Sequence, residues 1–184
     1  MSDIATGRLD TTEALRLLEL ASGSNDLAMS IENDKTPVEG ESTRVYSDGK
    51  QRLDVMGYAL HTARRNVATA VGAGGVTSTL TIVRRSDAAT ATLASLLSSN
   101  NDRLKLTLSV YRAGGAASKD TDPMIQYLYE GARIAEMLLL TGGATGAPCE
   151  VIRFSFRQLT IESAPQTGTG ARGAVRTSTF SMAD

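Results

Sequence analysis

Between Val76 and Tyr111 the apolar pattern changes period twice, and this stretch constrains the fold more than any other. Val76, Ser78, Leu80 and Ile82 alternate with Thr77, Thr79 and Thr81, the two-residue repeat of a strand, which closes at Arg84-Arg85. Ser86 or Asp87 can then cap a helix by accepting from its free N–H groups. Ala88, Ala91, Leu93, Leu96 and Leu97 recur at helical spacing, which predicts a helix over about residues 88–99, stopped by Asn100-Asn101. From Arg103 the period returns to two, with Leu104, Leu106, Leu108 and Val110 on one face. One short apolar helix in a mainly β chain packs on a face or an end of a curved sheet.

The chain has 184 residues, enough for one domain with one core. A net charge of −1 gives no bulk attraction to nucleic acid or an anionic membrane, and scarce aromatic residues without Trp supply no base-stacking platform. Cys149 is the only cysteine, which excludes an internal disulfide and fits a reducing compartment. No apolar run approaches the ~20 residues of a membrane-spanning helix, and Asp3, Asp10 and Glu13 break the order of a secretory signal. The expected site of folding is the cytoplasm, with any export proceeding without a cleaved signal peptide.

Residues 1–26 read as an N-terminal helical extension. Asp10-Thr11 can cap a helix over about 11–21, Glu13 lies in its first turn, and Gly23 can end it. So short a helix needs a surface, either its own domain or a partner. The β domain, 27–184, opens with a strand over Leu27–Glu32, followed by turns at Asn33–Pro37 and Ser47–Lys50. Leu53–Thr62 reads as one strand with apolar groups on both faces. Met124–Glu130 and Ala132–Thr141 read as a hairpin hinged at Glu130-Gly131. Met137, Leu138, Leu139 and Leu140 are consecutive, so that end is expected to be core or subunit interface. Along Glu150–Glu162, Ile152, Phe154 and Phe156 share one parity while Leu159 and Ile161 take the other. A bulge near Arg157-Gln158 would return both sets to the core. Arg176–Met182 is a last weak strand anchored by Phe180.

Catalytic and cofactor constellations are missing. His61 is the only histidine, which excludes a histidine-rich metal site, and a Cys–His pair could involve only Cys149. No serine sits in a G-x-S-x-G elbow, and the glycines of 72–75 are closed by neither Lys-Ser nor Lys-Thr. Glu39/Glu41 and Asp120/Asp122 fall in turn-like stretches. The expectation is a protein without enzymatic activity, cofactor or metal.

Four stretches add a resemblance. Val38-Glu39-Gly40-Glu41-Ser42 after the first strand resembles the Gly-Glu-Ser entry of the Hcp family, the tube proteins of type VI secretion. The strand Leu80–Val83 leading to an Asp-started helix at Asp87 is similar to that family's embedded helix. Tyr127–Leu140 resembles its paired strands, and Glu150–Glu162 its late Glu-x-x-x-Phe-x-Phe strand. The resemblance implies a small β-barrel of two packed antiparallel sheets with one side helix, assembling as a homohexameric ring. Such rings stack into an effector-carrying tube, with a spike protein and a sheath as partners, in type VI or related contractile injection systems. The N-terminal helix departs from that pattern. A monomeric β-barrel binding a small ligand is the competing reading.

Within a stacked tube, the connection from Arg64 to Gly75 draws notice, because it is long, glycine-bearing and apolar. Arg64, Arg65, Val67 and Val71 are its candidate ring-stacking residues.

Overall fold

The computed structural model describes residues 10–21, 26–44, 46, 49–64, 76–111, 123–141, 146–165 and 173–182. Among the described residues the fold is mainly β with two helices, as the periodicity predicts. Helix α1 (Thr11–Leu20) starts where Asp10 accepts from the Thr12 N–H at 3.0 Å. Strand β1 (Leu27–Asn33) turns through Asp34 and Lys35, both at positive φ, into β2 (Thr36–Pro37). The segment expected to be one strand divides into β3 (Leu53–Asp54) and β4 (Gly57–Arg64). The division has a cause: β3 pairs with β1, whereas β4 pairs with β5 (Val76–Arg85), so the chain changes neighbours at Val55-Met56.

Helix α2 (Ala89–Ser98) follows, ended by Asn100 at φ 49°, and then β6 (Leu104–Val110). Strand β7 (Ile125–Thr141) is continuous, so the expected hairpin at Glu130-Gly131 is a bend instead. Gly131 takes φ 59°, and a Cβ there would lie 3.0 Å from Arg157 Cδ. Its partner is the returning chain, β8 (Pro148–Ser155) and β9 (Gln158–Ser163), in one long antiparallel pairing bent between them. Phe156 and Arg157 separate these two strands, and the predicted change of parity occurs there: Ile152, Phe154, Phe156 and Leu159 are all in the core. Strand β10 (Arg176–Ser181) pairs with β9, and Phe180 packs against the core.

The bent pairing joins two sheets. One contains β1, β2, β3, β6, the first half of β7, β9 and β10. The other, the wall sheet, runs β7 (second half)–β8–β5–β4. The resemblance to a barrel holds in outline, but the sheet is not closed. Between β1 and β5 the chain contributes single bonds, Val55 N–H to Leu27 O at 3.2 Å and Met56 N–H to Val83 O at 2.8 Å.

The interior is packed with Met29, Ile31, Leu80, Ile82, Leu104, Leu106, Phe154 and Leu159 among others, with Leu93 and Leu96 of α2 closing one side. Each such fully buried side chain contributes roughly 1.5–3 kcal/mol. The opposite face of the wall sheet carries a second apolar cluster of Met56, Val83, Cys149 and Val151. Helix α1 lies on it through Ala14, Leu18 and Ala21. A ten-residue helix is marginal alone, so this packing is what holds it.

Candidate assembly surfaces and the buried junction behind them

The motif residues that are far apart in sequence meet at the start of α2. Arg84, on the inward parity of β5, donates from Nη1 to Glu150 Oε2 at 3.3 Å, and both side chains are sealed from solvent. Arg84 Nη2 also pairs with Asp87 Oδ1, and the Thr90 hydroxyl donates to Glu150 Oε1. Asp87 caps the helix, accepting from the Ala89 N–H at 2.8 Å, while Thr90 Oγ1 accepts from the Asp87 N–H at 3.1 Å. Glu41 reaches the same place: its N–H donates to Asp87 Oδ2 at 3.2 Å and its Oε1 accepts from the Ala88 N–H at 3.4 Å. Asp87 and Glu150 thus flank one buried guanidinium, while Asp87 and Glu41 accept from N–H groups at the positive end of the α2 dipole.

This junction explains the spelling of the Gly-Glu-Ser motif. At Gly40 a Cβ would lie 2.6 Å from Arg52 O, so only glycine fits. Ser42 is buried, its hydroxyl 3.4 Å from the Tyr46 hydroxyl and accepting from the Arg44 N–H at 3.3 Å. The arrangement locks a sheet, a helix and a loop together; it offers no open nucleophile or acid–base pair.

The candidate surfaces lie on the wall sheet. Among the described residues, neither β4 nor the second half of β7 has a strand partner on its far side, although α2 lies against β7. Such edges present unpaired N–H and C=O groups to a neighbouring chain. Of the four residues expected to be core or interface, Met137 packs toward the interior, and Leu138 and Leu140 pack toward the α1 side. Leu139 is 59% exposed, so in the lone chain it is not core. Arg64 ends β4 in an exposed position, whereas Arg65, Val67 and Val71 lie outside the described residues, as do Gly23, Asp120 and Asp122.

His61 is exposed on β4, opposite Thr79, and Cys149 is buried opposite Arg85. That separation along β5 is roughly 20 Å, so the two are not a catalytic pair.

Tyr58 of β4 and Tyr127 of β7, both partly buried against the core, share a hydroxyl–hydroxyl bond of 3.1 Å. Burial, then the bond to Tyr127, raises the Tyr58 pKa above the ordinary tyrosine value. Burial likewise raises that of Tyr129, whose hydroxyl has no partner among the described residues. A cleft of about 430 Å³ at the bend is lined by Gly131, Arg133, Ser155 and Arg157 among others. Its guanidiniums are occupied, Arg157 by Asp102 at 2.8 Å and Arg133 by Ser155 at 2.9 Å.

Residues 29–162 match the family described as "Type VI secretion system effector, Hcp". The chain belongs to the Hcp family. Solved structures share the Hcp-like fold at low identity. A type six secretion system protein matches with a TM-score of 0.67 at 22% identity, over 84% of this chain and 95% of its own. A type VI secretion system effector from Yersinia pestis gives 0.62 at 18%, over 85% and 100%. The secreted protein Hcp3 from Pseudomonas aeruginosa gives 0.58 at 16%, over 85% and 99%. Comparison with curated proteins returns no match. Helix α1 precedes the span matched to the Hcp family.

Neither the Arg84–Glu150 pair nor the patch beneath α1 is among the sites expected from the sequence. Both had a signal. Arg84 shares parity with Leu80 and Ile82, and Glu150 shares parity with Ile152 and Phe154, so opposite charges fall on inward positions of strands that become neighbours. Val83, Cys149 and Val151 occupy the other parity of the same strands, which marks a sheet face that needs a cover.

Proposed function

We propose that this Hcp-family chain is the structural subunit of the inner tube of a type VI secretion or related contractile injection system. In this reading six copies close a ring, rings stack, and the tube carries effectors, with a spike protein and a sheath as partners. The subunit folds in the cytoplasm and leaves without a cleaved signal peptide.

The observation that carries the reading is the family match over residues 29–162. The geometry supports it. A four-stranded wall sheet with two outer strands lacking strand partners among the described residues suits head-to-tail pairing, which closes when the rotation per copy divides a full turn. Exposed Leu139 stands at one of these edges. The interior is occupied by packed side chains, and the Arg84 and Glu150 charges at the junction are paired with each other, which favours a building block over a ligand-binding barrel or an enzyme.

Residues 64–75, with Arg64, Arg65, Val67 and Val71, carry ring-to-ring stacking in this account, and the wall edges carry ring closure. Replacing residues 67–74 by a two-residue turn leaves rings intact and stops tubes from forming. Stacking equal to the parent's, seen by electron microscopy, would reduce this segment to a loop.

A further inference from the structure

Resting on the ring reading above, we propose that α1 is a resident of the tube bore, forming the surface that passing cargo meets. The face of the wall sheet that α1 occupies decides its place. Along β5, Leu80 and Ile82 point into the main core while Val83 points to α1. Along β8, Ile152 and Phe154 point inward and Val151 and Cys149 point to α1. The main core, α2 and the second sheet therefore all lie on one face, and among the described elements only α1 lies on the other.

Ring closure through the wall edges turns that asymmetry into a direction. Four strands per copy in six copies, at roughly 4.8 Å per strand, give a cylinder about 37 Å across before strand tilt. Six copies of everything behind the wall do not fit inside such a cylinder, so they lie outside it. The α1 face then looks inward.

The contact is built for this helix. Ala14 and Leu18 are fully buried, Ala21 nearly so, and Leu138 and Leu140 pack at the margin. At Gly57 on β4, a Cβ would approach Ala21 Cβ to 3.3 Å, so a small residue there lets the end of α1 lie close. The side of α1 away from the sheet presents Thr11, Thr12, Glu13, Leu15, Arg16 and Glu19. In the assembled bore these side chains, rather than the wall sheet beneath α1, meet whatever passes.

Two measurements test the proposal. Rings of the full chain and of a variant lacking residues 1–21 are compared by electron-microscopic class averages. The expected result is a bore widened by about one helix diameter, roughly 10 Å, at each wall. An unchanged bore, with material lost from the outer rim, overturns the proposal. Should the shortened chain not fold, the full chain carrying Cys149→Ser and Leu15→Cys takes a maleimide gold cluster at residue 15. Gold at the ring axis supports a bore location, and gold at the rim overturns it. If the unmodified full chain sediments as a monomer, the ring reading has failed rather than the placement of α1 on the sheet.

Discussion

Arg84 on β5 and Glu150 on β8 form a 3.3 Å ion pair that is sealed from solvent and fastened to the start of α2 through Asp87 and Thr90. Removing one partner leaves a buried charge short of its counterion. Glu150→Gln is expected to cost about 3 kcal/mol in a urea titration of the subunit, while Arg84→Met with Glu150→Leu recovers part of that loss. A single variant as stable as the parent would mean that the pair does not hold the junction.

Gly40→Ala tests the loop that reaches this junction. Its methyl group would lie 2.6 Å from a backbone oxygen of Arg52, which cannot swing away as a side chain would. Displacing that backbone is expected to cost roughly 1–3 kcal/mol, read as a lower urea midpoint. An unshifted midpoint would show the loop to be looser than its geometry.

These two sites show what was legible in the sequence. Period-two and helical runs located most of the elements because burial on one side leaves that signature, as along β6. The motif residues Gly40, Glu41, Asp87 and Glu150 were visible, but not that they converge, because pairing between β5 and β8 brings together residues 66 positions apart. Leu53–Thr62 and Met124–Thr141 were misread for a related reason. A change of neighbour at Val55-Met56 and a bend at Gly131 are decided by partners elsewhere in the chain, and local periodicity does not encode them.

The tyrosines make stability fall at high pH. Tyr58 and Tyr129 have pKa values raised by burial above the ordinary value of about 10. Unfolding therefore releases protons above that pH. Their contribution is complete below about pH 10 and is lost as pH rises toward the folded-state values. Tyr129→Phe removes a buried hydroxyl without a partner among the described residues, so it is expected to be neutral or stabilising at pH 7 and to flatten the alkaline decline. A melting temperature that fell as steeply above pH 10 in the variant would assign the decline to other groups.

Leu139→Asp separates fold from assembly. The side chain is 59% exposed in the single chain, so the subunit's own stability is expected to change by less than about 0.5 kcal/mol. At an interface between copies the same carboxylate would be buried without a partner, and the ring is expected to dissociate. An assembled variant indistinguishable from the parent would move the interface away from this end of β7.

Sedimentation velocity of the unmodified protein, at tens of micromolar and ordinary salt, tests the central claim most directly. A tube subunit that closes rings sediments as a single species of about six times the chain mass, with larger stacks at higher concentration. A single species of one chain mass under those conditions would contradict the account.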